Sequence, residues 1–153
     1  MEEATDRLRP AADRAGVDLV VRVPDPSVDV VGDRWQLVSA VANLVDNAIK
    51  YSDRGSSVEV AVSVDGDDAV LAVSDHGMGI PTRDVDRIFE RFYRVDQARS
   101  RGTGGSGLGL SIVRHVALNH GGRVEVQSRL GEGSTFLLTV PRASDGPSIG
   151  TDR

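Results

Sequence analysis

Apolar residues recur along this chain with two periods, and the switches between them mark out its elements. From Arg34 to Tyr51 the period is helical: Leu37, Val41, Leu44, Val45 and Ala48 share one stripe. Gln36, Asn43, Asn47 and Lys50 share the opposite stripe, with Tyr51 at its edge. Asp33, after Gly32, is placed to cap this helix. Residues 57–64 alternate strictly, with Val58, Val60, Val62 and Val64 on one side, which predicts a half-buried strand. Asp65-Gly66-Asp67-Asp68 is a hairpin turn, and 69–74 is the return strand.

The flanking segments are shorter. Residues 2–15 read as an Ala-rich helix closed by Gly16. Residues 17–23 read as a strand ended by Pro24 and Pro26, and 28–31 as a second short strand. Residues 83–91 read as a short helix, with Val85, Ile88, Phe89 and then Phe92 apolar. Residues 109–119 form a helix with Leu110, Val113, Val116 and Ala117 inward, ended by His120-Gly121-Gly122. Two strands follow at 124–128 and 134–140, and Pro141 closes the fold. Residues 94–107 carry no periodicity and are rich in Arg, Ser and Gly, which predicts a mobile loop. Residues 142–153 have almost nothing to bury and are expected to be a disordered tail.

Composition narrows this picture by exclusion. A chain of 153 residues has room for one domain with a real core. Its net charge of −5 gives no reason to expect nucleic acid or an anionic membrane as partner. It has no cysteine, which removes disulfides, thiolate metal sites and thiol chemistry. No apolar run approaches a membrane span.

The chemistry concentrates in three places. On the central helix, Asn43 and Asn47 stand at i, i+4 beside Lys50, the only lysine of the chain. Amide oxygens suit Mg²⁺, which takes the rest of its shell from water and substrate phosphates, and an ammonium suits phosphate. Alone, the same residues also describe a solvated helix face. Asp75-x-Gly77-x-Gly79 follows a strand directly. Its glycines permit a sharp turn and a flat ligand close by, and its carboxylate can accept from the exocyclic amine of adenine; an Asx turn in an ordinary loop is the alternative. Gly105-Ser106-Gly107-Leu108-Gly109 leads straight into a helix, where bare N–H groups receive anions, unless it is a flexible linker. His76, His115 and His120 form no metal cluster, and surface or capping roles account for them.

In this order, together with Ile88-Phe89-Glu90-Arg91-Phe92-Tyr93-Arg94 and Gly131-x-Gly133-Ser134-Thr135-Phe136, these motifs resemble the catalytic, ATP-binding domain of bacterial two-component sensor histidine kinases. That family shares its fold with gyrase, Hsp90 and MutL. The resemblance covers about residues 4–141, and 94–101 further resembles actinobacterial members, some of them phosphate-responsive. It implies a two-layer α/β (α+β) sandwich: a mixed sheet of about five strands, about three helices on one face, and an ATP lid at 94–106. It implies ATP and Mg²⁺ as cofactors. Asn47 matches the Mg²⁺ ligand and Asn43 its companion; Lys50 matches a phosphate contact and Tyr51 a residue beside adenine. Asp75 matches the adenine-reading carboxylate, with Gly77, Gly79 and Ile80 shaping its pocket. Arg91 and Arg94 are candidates for the γ-phosphate, with Asn43, Lys50 and Arg91 the catalytic set. Gly105, Gly107, Leu108 and Gly109 match the phosphate-facing turn, and Thr135 is expected near the base.

The family's phosphoacceptor His is followed by an acidic residue, whereas His76, His115 and His120 are followed by Gly77, Val116 and Gly121. The resemblance therefore implies an acceptor on a separate dimerisation domain of the same kinase, with 1–15 the helix linking to it and 16–141 the catalytic domain. A response regulator downstream, a cytoplasmic position beneath a membrane-bound parent, and a monomeric state for the isolated domain are further expectations. An anti-sigma-factor-type Ser/Thr kinase and a nucleotide-sensing module without transfer activity are the alternatives; the aromatic segment 88–94 favours the sensor kinase over the first.

Overall fold

A computed structural model describes residues 1–24, 26–95 and 107–143. The chain forms helix α1 (Glu2–Ala15), strand β1 (Asp18–Arg22), helix α2 (Arg34–Tyr51), strands β2 (Ser57–Asp65) and β3 (Asp68–Asp75), a 3₁₀ turn at Thr82–Asp84, helix α3 (Gly109–Asn119), and strands β4 (Arg123–Arg129) and β5 (Gly133–Pro141). The strands make one sheet in the order β1-β2-β3-β5-β4, parallel between β1 and β2 and antiparallel elsewhere. This is the mixed five-stranded sheet with three helices that the motifs imply.

Register turns the period-2 pattern into a core. Val60, Val73, Phe136 and Val126 stand in one row across the sheet, and Val62, Leu71, Leu138 and Val124 in the next. This face meets the helices, with α2 packed between α1 and α3. Leu44, Val45, Val58, Val60, Val73, Val113 and Phe136 are fully buried there. Phe89 adds an edge-on contact to Phe136, with ring centroids 6.2 Å apart. The opposite face carries rows such as Glu59, Ser74, Thr135 and Gln127.

Helix ends are tied to each other as well as capped. The Asp33 carboxylate accepts from the Trp35 and Gln36 N–H groups at the start of α2, as its position predicts. The Asp33 N–H in turn donates to His120 Nε2 at 3.0 Å, so the ring proton lies on Nδ1, 2.7 Å from the Val116 carbonyl. His120 thus joins the end of α3 to the start of α2, a capping role across 87 positions of sequence. At the other side, α1 ends in a left-handed Gly16 and buries Ala4, Thr5 and Ala12, with Arg34 Nη2 2.7 Å from Glu3 Oε2.

Two expected elements are corrected. Residues 28–31 form no strand; Val30 makes an isolated bridge to Arg142. This segment meets the chain just past the end of β5, where the Ala143 N–H also donates to the Asp29 carbonyl at 2.9 Å. Residues 83–91 form no regular helix beyond the turn at Thr82–Asp84. The N–H groups of Asp84, Val85, Arg87 and Glu90 donate three residues back, and only that of Ile88 reaches four back, to Asp84. Burial of Ile88 and the contact of Phe89 with Phe136 hold this segment in tight turns. Phe92 ends it at φ 65°, a conformation side chains seldom adopt. The expected lid lies outside the described residues from 96 to 106, and the expected tail from 144 to 153.

Candidate functional site

A cavity of about 370 Å³ opens between α2, the end of β3, the segment after Ile88 and the start of α3, a size usual for small-molecule sites. The sheet pattern delivers Asp75 to one end of it. Asp75 continues the inward row of β3, so only 7% of it is exposed, although it is a carboxylate. Burial raises its proton affinity above the ordinary carboxylate range; the backbone N–H groups of Gly77 and Ser134, and His76, offset part of this. The Gly77 N–H donates to Asp75 Oδ1 at 2.9 Å.

The turn after Asp75 is clamped on two sides. A Cβ on Gly77 would stand 1.9 Å from the Tyr51 carbonyl oxygen at the end of α2. Gly79, at φ +71°, has the Arg129 carbonyl 2.2 Å from where its Cβ would be. The Gly131 N–H donates to the Met78 carbonyl at 2.7 Å, and the Ile80 N–H to Ser128 Oγ at 2.7 Å. Ser128 Oγ also lies 2.8 Å from Ser134 Oγ. The β4–β5 hairpin therefore holds the turn in place beneath the cavity.

Thr135, expected near the base, is placed on the other face of the sheet, where its hydroxyl meets Ser74 Oγ at 2.9 Å. Ser134 and Phe136 line the cavity instead. Strand parity carries the reason: Phe136 points inward, so Ser134 does too, and Thr135 must point away. The alternation of 134–140 carries this signal.

α2 forms one wall of the cavity with Asn43, Asp46, Asn47, Lys50 and Tyr51, running from the start of α3 beside Asn43 to the Asp75 turn beside Tyr51. Lys50 Nζ lies 2.9 Å from Asp46 Oδ2, an i, i+4 pair. Asp46 was missed in the sequence, where its spacing from Lys50 could have revealed it. Gly107, Gly109 and Leu110 bring the start of α3 to the Asn43 end of that wall. A Cβ on Gly109 would lie 3.2 Å from Asn43 Oδ1, so the glycine leaves the Asn43 amide its seat. Leu108, the N-cap residue, supplies no side-chain cap and does not line the cavity. Gly105 lies outside the described residues.

The aromatic segment forms the remaining wall with Ile88, Tyr93, Arg94 and Val95. Arg91, by contrast, is exposed and outside the cavity lining. The Phe92 N–H donates to the Gly107 carbonyl at 2.9 Å, which brings the two ends of the 93–106 stretch together. Tyr93 Oη donates to Asp84 Oδ1, and the Arg87 guanidinium sits 4.5 Å from the Tyr93 ring centroid. Asp84 is buried; its Oδ2 has no hydrogen-bond partner among the described residues, with Arg83 Nε 3.6 Å away.

The hydrogen bond to Asp84, together with burial, raises the Tyr93 phenol above its ordinary value. This contribution to stability is complete below the unfolded-chain value and is lost as pH rises through the folded one. In a Tyr51→Phe background, the remaining phenol is expected to ionise at higher pH than free tyrosine, and Asp84→Ala to return it to the ordinary range. Ultraviolet absorbance of the phenolate against pH measures both; an unchanged titration in Asp84→Ala would remove Asp84 as the cause.

Among the described residues no group of three His, Asp or Glu side chains is placed to hold a metal ion. A divalent cation here would depend on amide oxygen, phosphate and water, the donor set that Mg²⁺ accepts. No described helix is long and apolar enough to cross a membrane.

Residues 32–144 match the family described as histidine kinase-, DNA gyrase B- and HSP90-like ATPase. Over 153 residues the chain is 46% identical to the sensor-like histidine kinase SenX3 of Mycolicibacterium smegmatis, covering all of this chain and 40% of that protein. It is 53% identical over 142 residues to SenX3 of Mycobacterium tuberculosis, covering 92% of this chain and 34% of that one. The chain thus spans well under half the length of these relatives. Among solved structures, the mycobacterial sensor histidine kinase MprB superposes with a TM-score of 0.78 at 35% identity, over 93% of this chain and 94% of that one. Full-length ShkA in complex with AMPPNP superposes with a TM-score of 0.79 at 30% identity, over 94% of this chain and 29% of that one. The chain therefore belongs to the histidine kinase-, DNA gyrase B- and HSP90-like ATPase family, on its sensor histidine kinase branch.

Proposed function

We propose that this domain binds Mg²⁺-ATP and donates the γ-phosphoryl group to a histidine on a separate dimerisation domain of the same kinase. The observation that carries this is the polarity of the cavity. A buried carboxylate that accepts a hydrogen bond closes one end, and an amide-and-ammonium helix stripe runs from it to the start of α3. Adenine with its amine on Asp75, and phosphates over Lys50 and the α3 N-terminus, match that polarity. The AMPPNP complex of ShkA supports the same ligand class.

Asn47, with Asn43 beside it, would hold Mg²⁺, which when bound supplies charge neutralisation on the phosphates. Lys50 orients the phosphate chain, and Arg94 lines the wall nearby. An imidazole nitrogen of the acceptor attacks the γ-phosphorus, and the bond to the bridging oxygen breaks. ADP leaves with the electron pair, and the imidazole loses its proton to solvent or a neighbouring base. Phe92, 70% exposed next to the cavity wall, offers an apolar contact for the acceptor domain. Onward transfer to a response regulator, and a cytoplasmic position under a membrane-bound parent, complete the reading.

Asn43 gives a sharp consequence. An amide cannot act as general base toward water, so hydrolysis is expected to stay below about one turnover per second. Incubated alone with radiolabelled ATP, the chain is expected to gain no phosphohistidine. With a supplied dimerisation domain, label is expected on that domain's histidine. Faster hydrolysis, or labelled histidine on this chain, would overturn the reading.

A further inference from the structure

The polar stripe of α2 carries one side chain that the phosphate-binding reading leaves unused. Asp46 lines the cavity, and its Oδ2 lies 2.9 Å from Lys50 Nζ. Lys50 is the only lysine of the chain, so the ammonium offered to a phosphate is already engaged by a carboxylate one turn back. The pair is not locked in the core: the side chains are 36% and 38% exposed. In such a setting an ion pair contributes little to stability and can exchange partners. A phosphate that takes Lys50 must displace Asp46, and then lies beside a carboxylate of its own sign.

That cost depends on the charge of the incoming group. A bare polyphosphate meets Asp46 with its full negative charge. The same polyphosphate chelated by a divalent cation brings two fewer negative charges, and the Asn47 amide next in sequence to Asp46 offers that cation an oxygen. We propose that Asp46 is a specificity-determining residue: an internal competitor for Lys50 that biases the cavity against metal-free polyphosphate and toward the metal-chelated form. The inference takes its ligand class from the nucleotide-binding reading but does not depend on recognition of the base. Asp46 acts through Lys50, so it positions and screens.

The test uses titration calorimetry at low ionic strength with ATP and with inorganic tripolyphosphate, each with Mg²⁺ and with EDTA. Asp46→Asn keeps the size of the side chain and removes its charge. Relative to the parent chain, it is expected to tighten metal-free binding by about three- to tenfold while moving Mg²⁺-bound affinities by less than about twofold, the scale of one partly exposed ion pair. In a Lys50→Gln background the gain is expected to fall to about half or less, because only through-space repulsion is then removed. An equal change with and without Mg²⁺, a loss of metal-free affinity, or an undiminished gain in Lys50→Gln overturns the proposal. So does an absence of tripolyphosphate binding in both parent and variant. If tripolyphosphate responds as expected and ATP gains nothing over it, the role of Asp46 stands and the adenine reading fails.

Discussion

Replacing Asp75 with Asn is expected to weaken adenine-nucleotide binding by about ten- to a hundredfold while making the unliganded domain more stable at neutral pH. The binding loss follows from donor and acceptor inventory. Both carboxylate oxygens of Asp75 are acceptors by nature: Oδ1 takes the Gly77 N–H, and the Ser134 N–H also favours the charged group. An amide keeps one acceptor and turns the other into a donor, which would face the Ser134 N–H or the adenine amine. A hydrogen bond to a charged group contributes about 1.5–3 kcal/mol, and about 1.4 kcal/mol is tenfold in affinity. The stability gain follows from burial. Desolvation raises the proton affinity of Asp75 on folding, so its contribution is complete below the unfolded-chain value near 3.9 and is lost as pH rises through the folded value. Above that window the empty domain carries a buried anion, and the Asn variant does not. Calorimetric titration with ATP and thermal unfolding at several pH values measure the two effects. An affinity within about threefold of the parent would remove adenine recognition from Asp75. A variant less stable than the parent at neutral pH would mean that the backbone hydrogen bonds outweigh desolvation.

Gly77→Ala is the second large effect, and it is expected to damage the fold and the site together. The new methyl would stand 1.9 Å from the Tyr51 carbonyl oxygen and 3.2 Å from Asp75 Oδ1. Backbone atoms lie on both sides of that contact, so α2 or the β3 turn must shift. The turn is fixed from behind by the hydrogen bonds of Met78 and Ile80 to the β4–β5 hairpin. Overpacking at a site so enclosed costs about 1–3 kcal/mol, occasionally more. Urea unfolding should show that loss as a lower midpoint at unchanged slope, and nucleotide binding should fall with it because Asp75 is displaced. A variant with parental stability would mean that α2 and the turn can separate freely, and that Gly77 serves only the approach of a ligand.

Gly77 also marks how far the sequence reaches. Its motif places it in a ligand-shaping turn, and the turn is where the motif puts it. Yet its tightest neighbour is the end of α2, 26 positions earlier in the numbering, and it does not line the cavity. The periodicities of α2, β2, β3 and α3 name the elements and the buried faces, because each is a local property of side-chain spacing. Asn43, Asn47, Lys50, Tyr51, Asp75, Gly79, Ile80, Arg94, Gly107 and Gly109 meet in one cavity as the motifs imply. Thr135 fails for a local reason that strand parity already held. Residues 83–91 fail for a different one: their apolar spacing suits a helix, but Ile88 and Phe89 are drawn into the core in turns.

By itself, the sequence determined the order of the strands and helices other than 28–31 and 83–91, their inward faces, the cap at Asp33 and the residue types suited to an amine and a phosphate chain. Those follow from spacing, propensity and donor chemistry within a few residues of one another. Only the tertiary structure decided that 28–31 meets the sheet through a single bridge from Val30 to Arg142, and that His120 holds Asp33. It also decided that Arg91 stays exposed outside the cavity lining, and that the start of α3 comes against Asn43. Each of these depends on which segments, far apart in sequence, come within a few ångströms once apolar faces are buried together, and no local pattern encodes that distance.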